Sequence, residues 1–183
     1  MFEVEIKAHL DDLSLIENRL LQLDAIYQKT LHQNDIYLQH PLRNFAQTDE
    51  ALRIRISDDK SYLTYKGPKL DSSSKTREEF ELEVQEPKKL SELLKKIGFI
   101  TVQKVSKFRK QYSLNDIIIS LDTVDGLGEF IELEIDVLDK SAIVSARDRL
   151  FSVLKQLKIS SEKLERRSYL ELLLLAERNQ EVE

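Results

Sequence analysis

The sequence contains no cysteine and no tryptophan, and it has only four glycines and three prolines. Without cysteine the chain can form no disulfide, no thiolate zinc site and no thiol nucleophile. Four scattered glycines cannot build a glycine-rich phosphate loop, and the pattern G-x-x-x-x-G-K-[ST] does not occur. The leucine-rich stretch 170–176 is far too short to span a bilayer, and the first residues lack the basic and apolar regions of a secretory signal. We therefore predict a cytoplasmic protein without a membrane partner.

Charge is abundant, in contrast to these absences. Charged residues make up 33% of the 183 residues, hydrophobic residues make up 41%, and the net charge is −5. A net negative chain has no bulk attraction for nucleic acid, so we expect no nucleic-acid partner. The length suits one domain with a sizeable core, and no linker composition divides it, which predicts a single domain over 1–183.

Period-two alternation of apolar and polar residues predicts eight strands. They cover about 2–7, 27–38, 52–56, 61–66, 77–84, a long stretch ending at Tyr112, 117–122 and 130–137. Helical spacing of apolar residues predicts helices over about 13–23, 87–97 and 140–157, and a last helix that holds Tyr169. Most strands follow one another as hairpins, which predicts an antiparallel α+β fold. Eight is a natural number of strands for a closed barrel with the helices packed outside.

One face of almost every predicted strand carries charged side chains at strict period two, while the opposite face is apolar. For a single strand, the ordinary interpretation is a solvated charged face. The repetition in nearly all strands favours a different arrangement, in which the charged faces line the inside of the barrel. The apolar faces, including Phe80 and Leu82, are then predicted to lie under the helices.

Such a charged interior cannot be dry, because an unpaired buried ion costs several kcal/mol (an order-of-magnitude figure). Acidic pairs suit a hard divalent cation such as Mg²⁺, which prefers carboxylate, water and phosphate oxygens. Arginine and lysine suit phosphate oxygens, and arginine offers a two-pronged donor. Carboxylates and basic groups in one cavity therefore predict metal-assisted chemistry on a triphosphate.

The order of these charged motifs along the chain resembles one protein family. The motifs are Glu3-x-Glu5-x-Lys7, Arg53-x-Arg55, Lys66, Arg77-x-Glu79-x-Glu81, Lys107-x-Arg109, Asp122, Gly126-x-Gly128-x-Phe130 and Glu132-x-Glu134. Together they resemble the CYTH superfamily, also called the triphosphate tunnel metalloenzymes. The resemblance implies an eight-stranded antiparallel tunnel that binds a triphosphate and a divalent metal, Mg²⁺ or Mn²⁺.

The resemblance also implies roles for individual residues. The implied metal ligands are Glu3, Glu5, Glu132 and Glu134. The implied triphosphate-binding residues are Lys7, Arg53, Arg55, Lys66, Arg77, Lys107 and Arg109. Glu79 and Glu81 are expected to line the tunnel. Glu3, Glu5, Lys7 and Asp122 are the expected catalytic residues.

Within the superfamily, two features look most like the class IV adenylyl cyclase group, namely Gln33-x-Asp35-x-Tyr37 and the stretch 168–172. The resulting hypothesis is a cyclase that converts ATP into cyclic AMP and pyrophosphate. The alternative is an inorganic or thiamine triphosphatase that hydrolyses the terminal phosphate. A non-catalytic polyphosphate or nucleotide-binding module ranks below both, because both outer acidic pairs are present.

The group that holds a nucleobase would separate these hypotheses. With no tryptophan to stack on adenine, the aromatic candidates are Tyr37, Phe45 and Tyr62. Tyr169 and the leucines after it predict core packing or the contact of a homodimer rather than a ligand pocket.

Overall fold

The computed structural model describes residues 2–58, 60–70 and 76–180. The strands are β1 Phe2–His9, β2 Ile26–Gln39, β3 Ala51–Ser57, β4 Ser61–Lys66, β5 Arg77–Glu83, β6 Ile100–Leu114, β7 Ile117–Val124 and β8 Gly128–Val137. The α-helices are α1 Leu13–Gln22, α2 Phe45–Thr48, α3 Pro87–Lys96, α4 Ile143–Gln156 and α5 Tyr169–Gln180. Short 3₁₀ turns cover Lys140–Ala142 and Ser161–Lys163.

The eight strands form one closed antiparallel barrel in the order β1-β5-β4-β3-β2-β6-β7-β8. This confirms the predicted α+β barrel with helices outside. The barrel closes between β1 and β5 through two residue pairs, Phe2 with Glu78 and Glu3 with Arg77. The long strands β2 and β6 pair over nearly their whole length, with two register irregularities. At this closure Glu3 lies between two paired strands, because it faces Arg77 of β5 on one side and Asp136 of β8 on the other.

Local sequence signals explain where the elements begin and turn. Asp12 caps α1, since its side chain accepts a hydrogen bond of 3.0 Å from the backbone N–H of Leu15. Pro87 begins α3, where its fixed φ and missing N–H cost nothing. The tight turn between β7 and β8 requires positive φ at Gly126 and Gly128. These turns fix the strand register, and the register decides which side chains point inward.

The main hydrophobic core lies outside the barrel, between its wall and two helices. Leu20 of α1 and Leu150 of α4 are fully buried against β1, β7 and β8. A smaller cluster places Leu94 of α3 on Ile54 and Leu38. Covering the outer wall with apolar side chains stabilises the fold by about 25 cal/mol per Å² buried, which leaves the inner wall available for charge.

The outer face of β5 departs from the predicted arrangement. Phe80 and Leu82 point outward as the alternation predicts, but they are 59% and 67% exposed, so the prediction that helices cover them is wrong. The helices pack on β1, β8, β2 and β3 instead. Among the described residues, no helix is both long enough and apolar enough to cross a lipid bilayer.

Candidate active site

The inside of the barrel encloses a cavity of about 400 Å³. Twelve of the fourteen site residues predicted from the sequence line it. They are Glu3, Glu5, Arg53, Arg55, Lys66, Arg77, Glu79, Glu81, Lys107, Arg109, Glu132 and Glu134. The other two, Lys7 and Asp122, lie in the barrel wall behind the cavity surface and are fully buried. The volume falls in the range typical of sites for small organic ligands.

The strand register brings these side chains together. Glu5 lies directly opposite Glu134 in the β1–β8 pair, and Lys7 lies opposite Glu132. Arg109 lies opposite Asp122 in the β6–β7 pair. Because side chains alternate between the two faces of a strand, each pair of facing residues shares the inner surface. The charged residues of different strands are therefore neighbours in the barrel although they are far apart in the sequence.

On the β2–β3 wall, Asp35 holds two arginines. Arg55 donates two hydrogen bonds, of 2.8 and 2.7 Å, to the two carboxylate oxygens of Asp35. A nitrogen of Arg53 lies 3.7 Å from the same carboxylate. Burial alone would raise the pKa of Asp35, but the positive charges of Arg55 and Arg53 hold it well below its usual value. Asp35 therefore stays ionised and fixes both guanidinium groups at the cavity surface.

Lys66 links three strands at the closure of the barrel. Its ammonium nitrogen lies 2.7 Å from Glu3 of β1 and 2.7 Å from Glu79 of β5. Burial would lower the pKa of Lys66, but the two carboxylates outweigh it and raise the pKa above its ordinary value. The ammonium group is thus permanently charged. It bridges Glu3 and Glu79 where β1 and β5 pair through only two described residues each.

The β6–β7 wall contains a buried network around Asp122. Arg109 donates hydrogen bonds of 2.7 and 2.6 Å to its two oxygens, and Lys107 donates one of 3.1 Å. The hydroxyl of Tyr169, from α5, donates a fourth hydrogen bond of 2.9 Å. Arg109 also bonds to Glu132. Asp122 is 0% exposed and does not line the cavity, so its contacts position Arg109 and Lys107 from behind.

Tyr169 also faces two lysines. The ammonium nitrogen of Lys7 lies 4.0 Å from the centre of the Tyr169 ring, and that of Lys107 lies 4.9 Å from it. A cation over an aromatic face is attracted by the ring quadrupole. Burial, together with the nearby charge of Arg109, lowers the pKa of Lys107 to about 8. An anion in the cavity would therefore strengthen the protonated form of Lys107.

An acidic surface faces these basic walls. Burial, together with the nearby negative charges of Glu3 and Glu5, raises the pKa of Glu134 to about 8. Asp136 has a raised pKa for the same two reasons, burial and Glu3. These crowded carboxylates have too little positive charge near them for all of them to be ionised, and a divalent cation would supply that charge. The donor set therefore fits Mg²⁺ or Mn²⁺.

The carboxylates do not form a finished metal cage. Within the described ranges, no group of three acidic or histidine side chains already has an arrangement that could hold a metal ion. Two of the predicted ligands are held by basic groups instead, Glu3 by Lys66 and Glu132 by Arg109. Glu5 and Glu134 face each other across β1 and β8 at the centre of the acidic surface. This agrees with the habit of Mg²⁺ of taking few protein ligands and keeping water or phosphate oxygens.

Two residues that hold the site together were not among the predicted site residues, namely Asp35, which lies behind the cavity surface, and Tyr169, which lines the cavity. Asp35 fixes Arg53 and Arg55. It is a charged residue at an alternating position of its strand, as the predicted site residues are, and this pattern could have identified it. Tyr169 packs in the core, as one of the two sequence interpretations expected, but it also lines the cavity. No periodic signal marks Tyr169, because it comes from the first turn of a helix that closes over the barrel.

The raised pKa of Glu134 predicts how metal and pH together change stability. The native state binds this proton more tightly than the unfolded chain between pH 4.5 and about 8, so without metal the melting temperature should fall as pH rises through that window. A divalent metal bound at Glu134 would have to displace this proton, which is held more firmly at pH 5.5 than at pH 8. Mg²⁺ should therefore raise the melting temperature more at pH 8 than at pH 5.5. Differential scanning fluorimetry with EDTA or Mg²⁺ at both values measures this.

Glu134→Gln is the matched control, because it keeps the shape of the side chain and removes the titration. In this variant the metal-free melting temperature should change less between pH 5.5 and pH 8. An equal effect of Mg²⁺ on the original protein at both pH values would contradict the assignment of Glu134 to the metal site.

Comparison with known proteins adds a family to this geometry. The sequence pattern of the CYTH domain matches residues 1–169. The chain is 42% identical over 172 residues to the protein named Putative adenylate cyclase MJ0240 of Methanocaldococcus jannaschii, covering 94% of this chain and 98% of that protein. It is 27% identical over 171 residues to Adenylate cyclase CyaB of Aeromonas hydrophila, covering 92% and 86%. The solved structure of the PH1819 protein from Pyrococcus horikoshii superposes with a TM-score of 0.88 at 44% identity, covering 95% and 99%.

Proposed function

We propose that this chain, which belongs to the CYTH domain family, is a divalent-metal-dependent adenylyl cyclase of the class IV type that converts ATP into cyclic AMP and pyrophosphate. The observation that carries the proposal is the division of one barrel cavity into a basic wall and an acidic surface. The names of two relatives, Putative adenylate cyclase MJ0240 and Adenylate cyclase CyaB, favour the cyclase reaction over hydrolysis. We infer that residues 1–183 act as one domain around this cavity.

The basic wall would bind the triphosphate. Arg53, Arg55 and Arg109 present guanidinium groups that carboxylates already hold in place, so little ordering entropy is lost when a phosphate binds. Lys66, Lys107 and the buried Arg77 add further donors on the same surface. Lys7 lies deeper and contributes its charge through the field rather than through contact with the cavity.

The acidic surface would hold the metal, with Glu5 and Glu134 at its centre and Glu3 and Glu132 at its edges. When bound, Mg²⁺ or Mn²⁺ would supply Lewis-acid polarisation of phosphate oxygens and neutralise developing charge. In the reaction, the 3′-hydroxyl of the ribose loses its proton to solvent water, and its oxygen forms a bond to the α-phosphorus. The bond from the α-phosphorus to the oxygen that bridges to the β-phosphorus breaks, and pyrophosphate leaves. Arg109 and Lys107 stabilise the negative charge that collects on the departing pyrophosphate. Asp122 acts as a positioning residue for both.

Product analysis tests the proposal. Incubation of the protein with ATP and Mg²⁺ or Mn²⁺ should yield cyclic AMP and pyrophosphate in equal amounts, and omission of the metal should abolish both. Chromatography with authentic standards identifies the products. Release of orthophosphate from ATP or from tripolyphosphate without any cyclic AMP would replace the cyclase with a triphosphatase, since both reactions can use the same charged walls. Binding of ATP without any product would favour a non-catalytic binding module.

A further inference from the structure

The wall formed by β2 and β3 carries two uncharged polar side chains that the charged network does not use. Gln33 and Ser57 face each other in the β2–β3 pair, and both line the cavity. Gln33 is only 5% exposed. Among the described residues, no hydrogen-bond partner reaches the buried Oε1 of Gln33 or the buried Oγ of Ser57. Buried polar atoms are paired in most proteins, so two neighbouring exceptions that line one cavity indicate a ligand.

The phosphate part of the substrate cannot satisfy Gln33 Oε1. An amide oxygen accepts hydrogen bonds, and an ionised triphosphate presents only acceptors near neutral pH. The partner must carry an N–H or O–H donor. In a nucleoside triphosphate these donors are the ribose hydroxyls and the amino group of the base. Inorganic triphosphate has none.

The surroundings of Gln33 suit the nucleoside part of a substrate. Gln33 lies opposite Lys107 in the β2–β6 pair, next to the basic wall that would hold the phosphates. Leu31 and the half-buried Tyr62 line the same cavity, and Tyr62 lies opposite Arg55 in the β3–β4 pair. Of the three aromatic candidates for stacking on a base, Tyr37 and Phe45 are each only 8% exposed in the protein, which leaves Tyr62 with the most accessible ring.

We infer that Gln33 accepts a hydrogen bond from the nucleoside of the substrate and that the hydroxyl of Ser57, beside it, donates to or accepts from the same nucleoside. Leu31 and Tyr62 then lie against the base, so that this wall selects a nucleoside triphosphate over inorganic triphosphate. The inference rests on the proposed function, because it assumes that the basic wall holds the phosphates. A glutamine amide can also pair in two-pronged fashion with the amino group and N7 of adenine, which gives the wall a means to recognise this base.

Binding measurements test the inference without relying on turnover. Isothermal titration calorimetry in EDTA would compare ATP with tripolyphosphate for the unchanged protein and for Gln33→Met, which keeps the length of the side chain and removes both polar groups. We expect Gln33→Met to weaken ATP binding about 5- to 10-fold and tripolyphosphate binding by no more than about twofold. Ser57→Ala, which removes a single oxygen, should weaken ATP about 2- to 5-fold with the same selectivity.

Three further ligands identify the donor. Inosine triphosphate replaces the 6-amino group with an oxo group, and 2′-deoxy-ATP and 3′-deoxy-ATP each lack one hydroxyl. The ligand that lacks the donor for Gln33 should bind the unchanged protein more weakly than ATP does, and Gln33→Met should remove that difference. Gln103→Met is the matched control, because Gln103 contacts Glu177 of α5 instead of the cavity. It should leave every affinity unchanged.

The outcomes separate this inference from the proposed reaction. Equal losses for ATP and tripolyphosphate in Gln33→Met would show that Gln33 does not act through the nucleoside. No loss for either ligand would show that Gln33 does not contact the ligand. In both cases the inference would be wrong. Selective loss of ATP binding would support it even if no cyclic AMP were ever formed. The absence of cyclic AMP would count against the cyclase alone.

Discussion

Glu5→Gln should reduce metal-dependent turnover on the order of 10²- to 10³-fold while the barrel stays folded. Glu5 lies at the centre of the acidic surface, opposite Glu134, and is 6% exposed. Glutamine has nearly the same shape, but it removes one of the negative charges that a divalent cation requires. The variant should also need more Mg²⁺ to reach half-maximal rate. Initial rates of product formation over a range of Mg²⁺ concentrations measure both effects.

The surface pair of Glu83 and Lys60 offers the control. Glu83→Gln makes the same chemical change on the same barrel, at a side chain that is 54% exposed and pairs with an exposed lysine. Exposed ion pairs contribute about 0–1 kcal/mol, and Glu83 does not line the cavity, so this variant should keep the original rate. Circular dichroism establishes that both variants are folded. Full activity of Glu5→Gln at limiting Mg²⁺ would remove Glu5 from the metal site.

Alternation in the sequence was sufficient to predict the barrel and most of its inner surface. A strand has a side-chain period of two, so once Glu3 and Glu5 are assigned to the inside, Val4 and Ile6 must face outward. The structure places Val4 and Ile6 in the core between the barrel and its helices. The same reasoning carried through the other strands, because the alternation persists along them apart from two register irregularities between β2 and β6.

What the sequence could not provide was the pairing of charges across strands. The partner of Arg55 is Asp35, twenty residues earlier, and this pairing depends on the register of β2 against β3. The position of Tyr169 depends on how α5 closes over the barrel, and no local pattern encodes that. The exposure of Phe80 and Leu82 has a similar cause, since a strand pattern shows which face is apolar but not whether a helix covers it.

Asp122→Asn should lower the free energy of unfolding by about 3–5 kcal/mol. Asp122 is the common acceptor for Arg109, Lys107 and Tyr169, all of which are buried. Asparagine keeps the shape and can still accept the hydrogen bond of Tyr169, but Lys107 and Arg109 both lose the negative charge of Asp122, and among the described residues Arg109 keeps only its bond to Glu132. Lys107, whose pKa is already about 8, can escape part of this cost by releasing its proton. Arg109 cannot, because a guanidinium group does not deprotonate in proteins. Urea unfolding of both proteins measures the difference.

Asp116→Asn is the matched control, because Asp116 pairs with Arg149 where both side chains are about half exposed, and its loss should cost about 0–1 kcal/mol. Tripolyphosphate supplies a second test. If Asp122 positions the cations for phosphate, an added triphosphate should restore more stability to Asp122→Asn than it adds to the original protein, since it returns negative charge to Arg109 and Lys107. An unfolding midpoint equal to that of the original protein would show that Asp122 is dispensable for the network. Lost activity would then point to a direct chemical role for its carboxylate.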